Sequence, residues 1–229
     1  MESSRYFNFP IQMMQGVLEG WKDKKEFLKD VLYFHIQNHA DKLEDLNEYE
    51  ETEAQRFKRS ADFWGVEMQG CVESRCQRGE SLLCEFEDAK VYVGISTDVF
   101  WNFYNSDKSQ FEWECLVAFL ALKSILGKKT YCKSNNALLY ARMSGNESSK
   151  DEHSITFTEY HRNKIIFKLE TEWNVKYYSR YTRGFYFGID TTLKELIFFA
   201  EEKRDKMKAT ELKNSKAEIL KSYQNRGTK

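Results

Sequence analysis

Apolar residues recur at helical spacing along most of this chain, which predicts long helices joined by short loops. The first such stretch covers residues 9–46, with an interruption near Gly20. A charged stretch over residues 44–66 follows, and it fits an exposed helix that ends at Gly65. Residues 67–92 show no clear period, so no element is assigned to them. The first half is therefore predicted to be mostly helical.

The second half has a clearer pattern. Thr97 is placed to cap a short helix, and residues 111–127 form a strongly apolar helix closed by a glycine. Residues 128–133 are typical of a short extended segment. Ser134 is then placed to cap a second helix over residues 135–145. The second half thus begins as helix, short strand and helix.

A third helix and an aromatic hairpin complete the pattern. Thr158 can cap a helix over residues 159–173, whose apolar residues share one face. Two aromatic-rich runs then flank RYTRG in the stretch KYYSRYTRGFYFGID, residues 176–190, which predicts a β-hairpin. Thr192 and Glu195 form a capping box at the start of a long, charged final helix, in one piece or two.

This order of elements, together with the segment NKIIFKLETEWNVKYYSRYTRGFYFGI, resembles the winged-helix variant of helix-turn-helix proteins over residues 111–189. The first half resembles bacterial proteins of unknown function that open with a YFNFPIQ-like segment. We therefore expect a mainly α fold in three parts. They are a helical N-terminal domain over residues 1–106, a winged-helix domain with a small β-hairpin wing over residues 107–189, and a long C-terminal helix over residues 190–229.

The resemblance implies a recognition helix over residues 158–173, which would enter the DNA major groove, and a wing over residues 176–189. A helical wheel places Thr158, Arg162, Ile165, Ile166, Leu169 and Trp173 inward. It places Tyr160, Asn163, Lys164, Phe167 and Thr171 outward, with His161 and Lys168 at the flanks. Asn163 and Lys164 have the hydrogen-bonding chemistry that base edges accept. Gly184 permits a positive φ at the wing turn, where nearby cations can contact phosphates. The predicted DNA contacts are Tyr160, Asn163, Lys164, Lys168, Lys176, Arg180, Arg183, Lys128, Lys129 and Lys133.

The distribution of charge supports an acidic partner for the second half only. The formal net charge of the whole chain is −1, so bulk charge does not favour a polyanion. Residues 41–99 hold 15 acidic and 7 basic residues, whereas residues 123–188 hold 12 basic and 6 acidic ones. An alternative interpretation is a solvated surface with chance clustering of charge.

Several features bear on the compartment. The chain has five cysteines, an odd number, and its first residues, MESSRYFNFP, lack the basic and apolar regions of a secretory signal. No apolar run reaches ~18 residues, so no membrane span is expected. We expect a cytoplasmic protein with reduced thiols.

The sequence contains only incomplete motifs for metal binding and catalysis. His35 and His39 are four residues apart and could share a helical face as metal ligands, but the Glu of a zinc-protease motif is missing. Cys71, Cys76 and Cys84 lack the paired spacing of a zinc site. Glycine spacing fits no phosphate loop, and there is no nucleophile-elbow sequence. No metal, cofactor or catalytic residue is predicted.

The function predicted from these patterns is non-catalytic binding of double-stranded DNA, in regulation or in replication of a mobile element. The alternative is a protein-interaction adaptor, in which Phe167, the aromatic hairpin and the last helix form a partner surface. Apolar residues of that helix recur near heptad spacing, with gaps, so it is also a candidate homodimer seam.

Overall fold

A computed structural model describes residues 5–43, 51–68, 70–151, 155–179 and 184–226, with side chains of the last helix described as far as residue 218. The chain is mainly helical, with 60% helix and 12% strand, so the predicted fold class is confirmed at that level. The helices in these ranges are α1 (Lys24–Ala40), α2 (Glu53–Phe63), α3 (Val72–Glu85), α4 (Thr97–Asn105), α5 (Gln110–Leu126), α6 (Asn136–Met143), α7 (Glu159–Glu172) and α8 (Leu193–Arg226). The strands are β1 (Tyr6–Pro10), β2 (Tyr92–Ser96), β3 (Tyr131–Ser134), β4 (Val175–Tyr178) and β5 (Phe185–Ile189).

The beginning of the chain differs from the prediction. The helix predicted over residues 9–46 begins only at Lys24, where the Asp23 carboxylate accepts two backbone N–H groups. Phe7 and Phe9 are buried whereas Tyr6 and Asn8 are exposed, which is the alternation of a strand, and β1 pairs antiparallel with β2. A 3-10 turn then follows at Ile11–Met14. The prediction was wrong here because a five-residue strand is too short to reveal its period beside an apolar run.

The part of the first half without an assignment holds regular structure. Helix α3 lies within residues 67–92, and β2 begins at the end of that span. Helix α2 confirms most of the predicted charged helix, and Gly65 has a φ of 68° just after its end. Residues 44–50 of that prediction lie outside the described residues.

The second half follows the predicted order of helix, strand, helix, helix and hairpin. Strands β3, β5 and β4 form an antiparallel sheet in that spatial order. The Thr158 hydroxyl caps α7 by accepting the His161 N–H, as predicted. The cap of α6 is Asn135 rather than Ser134, because the Asn135 side chain accepts the Leu138 N–H. Ser134 is instead the last residue of β3.

One continuous hydrophobic cluster contains buried residues from both sides of the predicted boundary at residues 106 and 107. Helix α5 contributes ten buried residues to the protein interior, which agrees with its strongly apolar sequence. The inner face of the three-stranded sheet adds Phe185 and Phe187 to the cluster. Whether this boundary separates two domains stays a prediction.

Helix α8 packs on the outer face of the same sheet. Leu196 and Ala200 form a small second cluster with Tyr186 of β5. The predicted capping box is confirmed, since the Thr192 N–H donates to the Glu195 carboxylate and the Glu195 N–H donates to the Thr192 hydroxyl. The helix runs without a break to Arg226, so the final helix is in one piece.

Candidate nucleic-acid interface

Helix α7 is held by an apolar inner face and a polar anchor. Ile165 and Leu169 are buried in the main cluster, where α7 packs against α5. The imidazole Nε2 of His161 lies 2.6 Å from a carboxylate oxygen of Glu114, which is itself buried on α5. Gln110 donates to the other Glu114 oxygen at 3.4 Å. These contacts fix the rotation of α7 about its own axis, and so decide which residues face outward.

The outer face of α7 consists of the five residues that the helical wheel placed there. Tyr160, Asn163, Lys164, Phe167 and Thr171 are all exposed. Tyr160 keeps 73% and Phe167 67% of its surface accessible. The face is therefore an open ridge that combines two large aromatic rings with amide, hydroxyl and ammonium groups.

The two lysines of α7 have different surroundings. The Lys164 Nζ lies 5.5 Å from the centre of the Tyr160 ring and 5.8 Å from that of Phe111. Lys168 forms an ion pair of 2.5 Å with Glu172, and this hydrogen bond raises the pKa of the lysine. An exposed pair of this kind is worth only ~0.3–0.5 kcal/mol, so a phosphate can displace the carboxylate. Lys164 therefore extends from α7 towards Phe111 of α5, whereas Lys168 is paired along α7 itself.

Arg162, a cation that the helical wheel placed on the inner face of α7, is partly buried. Its guanidinium lies 3.8 Å from Glu159 and donates to the Asn163 side chain at 3.4 Å. The Nε of Arg162 is buried and has no hydrogen-bond partner. Its chain lines a small apolar cavity together with Ile165 and Leu169. The arginine thus reaches out of the core beside the first turn of α7.

The remaining predicted contacts are divided between other surfaces. The register of the sheet pairs Lys133 with Tyr186 and Lys176 with Gly188. Because side chains alternate along a strand, both lysines lie on the outer sheet face with Tyr186, which α8 covers in part. Lys128 and Lys129 are exposed in the turn after α5. The structure does not bring Lys133 and Lys176 together with the outer face of α7.

The tip of the wing lies outside the described residues. Arg180 and Arg183 belong to this segment, so their predicted contacts stay predictions. Strands β4 and β5 confirm the hairpin on either side, and Gly184 has the positive φ that was expected, at 104°.

Sequence reasoning missed the pair formed by His161 and Glu114, because the two residues are 47 positions apart and no motif links them. The pair of Lys168 and Glu172 is predictable from the sequence, since residues four apart on a helix are neighbours.

Other candidate sites set aside earlier have structural roles in the N-terminal half. His35 accepts the Asn8 backbone N–H through Nδ1 at 3.1 Å, and His39 Nδ1 lies 2.9 Å from the Ser60 hydroxyl. Among the described residues, no three His, Cys, Asp or Glu side chains are placed to hold a metal ion. The five cysteines are free thiols. No helix in the described ranges combines the length and apolar character needed to cross a bilayer.

Comparison of the chain with protein-family models, with curated proteins and with solved structures finds no match. The functional assignment therefore depends on the geometry alone.

Proposed function

We propose that this protein binds double-stranded DNA through a winged helix formed by α5, α6, α7 and the three-stranded sheet. The observation that carries the proposal is the combination of the strand order β3, β5, β4 with an open outer face on α7. A major groove admits one α-helix, and an amide and an ammonium group near its N-terminal half are suited to base edges. Asn163 and Lys164 occupy those positions.

The remaining contacts of the proposed site are with the phosphate backbone. Tyr160 and Thr171 lie at the two ends of the outer face, and Lys168 at its flank, where they would meet phosphates beside the groove. Lys128 and Lys129 would extend the backbone contacts beyond α7. No catalytic step is part of the proposal.

The test measures binding of the full chain to a pool of mixed-sequence duplexes at two salt concentrations. Lys164→Ala is expected to weaken binding across sequences and to lower the slope of log affinity against log salt by about 1. Asn163→Ala is expected to relax the sequence preference at one position by about 1–3 kcal/mol. Lys58→Ala, an exposed lysine on α2, is the control and should match the wild type.

A wild-type chain that fails to bind duplex DNA at low salt would overturn the proposal. So would an equal loss for Lys58→Ala and Lys164→Ala, because the effect would then follow net charge and not the outer face of α7. The duplexes recovered from the pool would give the sequence that the protein prefers.

A second candidate function is a protein-interaction adaptor. It is favoured by the exposure of Tyr160 and Phe167 on α7 and of Phe198 on α8, which is 73% accessible. Exposed aromatic rings are common anchors of protein interfaces. In that case Phe167→Ala abolishes capture of a partner from a cell extract, while Lys164→Ala leaves the capture unchanged.

A further inference from the structure

Helix α8 leaves the body of the protein after its third turn. Glu201 and Arg204 are its last partly buried residues, and the Tyr178 hydroxyl donates to Glu201 at 3.1 Å. Every described residue from Asp205 to Glu218 is exposed. At ~1.5 Å per residue, this exposed part is about 21 Å long. A helix of this length without tertiary contacts is marginally stable in water, so a binding partner would stabilise it.

Charge is partly segregated around this exposed part, although Asp205 lies at the edge of the cationic side and Lys208 lies nearer the acidic side. At ~100° per residue, Lys206, Lys213 and Lys216 fall within an arc of about 80°. We call these three residues the basic stripe. Glu211 and Glu218 lie on the opposite side of the helix. One side of the exposed helix is therefore cationic along about 15 Å of its length.

The stripe contains cations that the chain itself does not neutralise. Lys206 forms an ion pair with Glu202. Lys213 and Lys216 have no acidic residue three or four positions away, and neither makes an ion pair or hydrogen bond with a described residue. Two lysines three positions apart also repel each other, which weakens the bare helix. An anionic partner would relieve this repulsion.

Between Asp205 and Glu218, the apolar side chains do not form a continuous stripe. Met207 and Leu212 are its described large apolar residues, and their five-residue spacing separates them by about 140°. A coiled-coil seam or a membrane-facing stripe needs apolar residues that return to one side every three or four positions. The charge pattern is therefore the stronger indication of what covers this helix.

The basic stripe begins beside further cations. Lys203, one turn before Lys206, lies 5.7 Å from the centre of the Phe199 ring. Phe199 contacts Tyr186, and Lys133 lies 5.7 Å from the centre of that second ring. Cations therefore follow one another from Lys133 on the outer sheet face, through Lys203, to the basic stripe on the exposed helix.

We infer that the basic stripe binds the phosphate backbone of the same DNA duplex, as a second contact surface separate from the outer face of α7. The inference rests on the proposed function. Phosphate contacts of this kind release condensed counterions and carry no sequence information. The stripe would therefore add affinity for DNA of any sequence, while the outer face of α7 supplies the sequence preference. The bound helix would also gain order.

The test compares the full chain with Lys213→Gln/Lys216→Gln, which removes two cations and keeps a good helix former at both positions. Loss of two phosphate contacts is expected to reduce the salt slope by about 1.8. Over a fourfold rise in salt, the wild type should then lose about twelvefold more affinity than the variant does. Lys58→Gln/Lys208→Gln removes the same charge from α2 and from the other side of α8, and it should behave as the wild type.

The outcomes separate this inference from the proposed function. If Lys213→Gln/Lys216→Gln keeps the salt slope of the wild type while Asn163→Ala/Lys164→Ala binds DNA more weakly, the role of the basic stripe alone is overturned. The reverse result would support the stripe and reject α7 as the recognition helix. A wild type that does not bind DNA would overturn both. A concentration-dependent dimer in sedimentation, lost only in the stripe variant, would assign the stripe to self-association and overturn its role in DNA binding.

Discussion

Acidification from pH 7 to pH 5 should destabilise this protein through one histidine. His35 is 6% exposed, and burial lowers its pKa from 6.5 to about 4, with the nearby His39 and Lys42 acting in the same direction. Its Nδ1 accepts the Asn8 N–H, so the neutral ring carries its proton on Nε2. A second proton on Nδ1 would place two N–H groups against each other and charge a ring packed between Phe7 and Trp64.

The expected size follows from the two pKa values. The unfolded chain binds a proton near pH 6.5, whereas the folded chain resists protonation down to about pH 4. The contribution of His35 is therefore intact above pH 6.5 and is lost as the pH falls towards 4. The free energy of unfolding should drop by about 2 kcal/mol between pH 7 and pH 5, and by about 3 kcal/mol at pH 4.

The assay is urea denaturation followed by tryptophan fluorescence at pH 7 and pH 5. His35→Gln is the control, because its amide oxygen can still accept the Asn8 N–H but does not titrate. Carboxylates that protonate in this range affect both proteins equally, so the difference between them isolates His35. Equal losses of stability in the wild type and in His35→Gln would refute this account of the buried ring.

Four further substitutions test other contacts by the same denaturation assay. Arg78→Ala removes two hydrogen bonds, of 2.9 and 2.7 Å, from the buried Asp30 carboxylate, and a loss of about 2 kcal/mol is expected. Leu169→Ala opens a cavity beneath α7 and should lose about 3 kcal/mol, whereas Phe167→Ala on the outer face should change stability by less than about 0.5 kcal/mol. Equal losses for these two would contradict the orientation of α7. Thr192→Ala removes the cap of α8 and should lose about 1 kcal/mol with a drop in helical circular dichroism, and an unchanged spectrum and stability would count against the capping box.

If the proposed function holds, the polar anchor of α7 matters more for sequence preference than for affinity. The buried Glu114 carboxylate and the partly exposed His161 ring hold the helix at its N-terminal half, close to Asn163 and Lys164. Loss of this pair would leave the outward-facing side chains of α7 unchanged but would hold them less firmly in position. Sequence preference should therefore decrease more than overall affinity, since phosphate contacts tolerate small displacements better than base contacts.

The sequence by itself determined the features that depend on near neighbours. The cap at Thr158 and the capping box at Thr192 each involve residues within three positions of one another. The inner and outer faces of α7 follow from helical periodicity, which requires no knowledge of the partner. The hairpin around RYTRG is likewise a local signal.

Only the tertiary structure decided the features that join distant residues. The end of strand β1, at Phe9 and Pro10, was mistaken for helix because its partner, β2, lies more than 80 positions away along the chain. The placement of Lys133 and Lys176 on the outer sheet face depends on the register of β3 and β4 against β5. Periodicity describes one segment at a time, whereas strand pairing and the burial of groups such as Glu114 depend on which segments meet. For that reason helix α7 and its two faces could be outlined from the sequence, but the placement of the other cations relative to it could not.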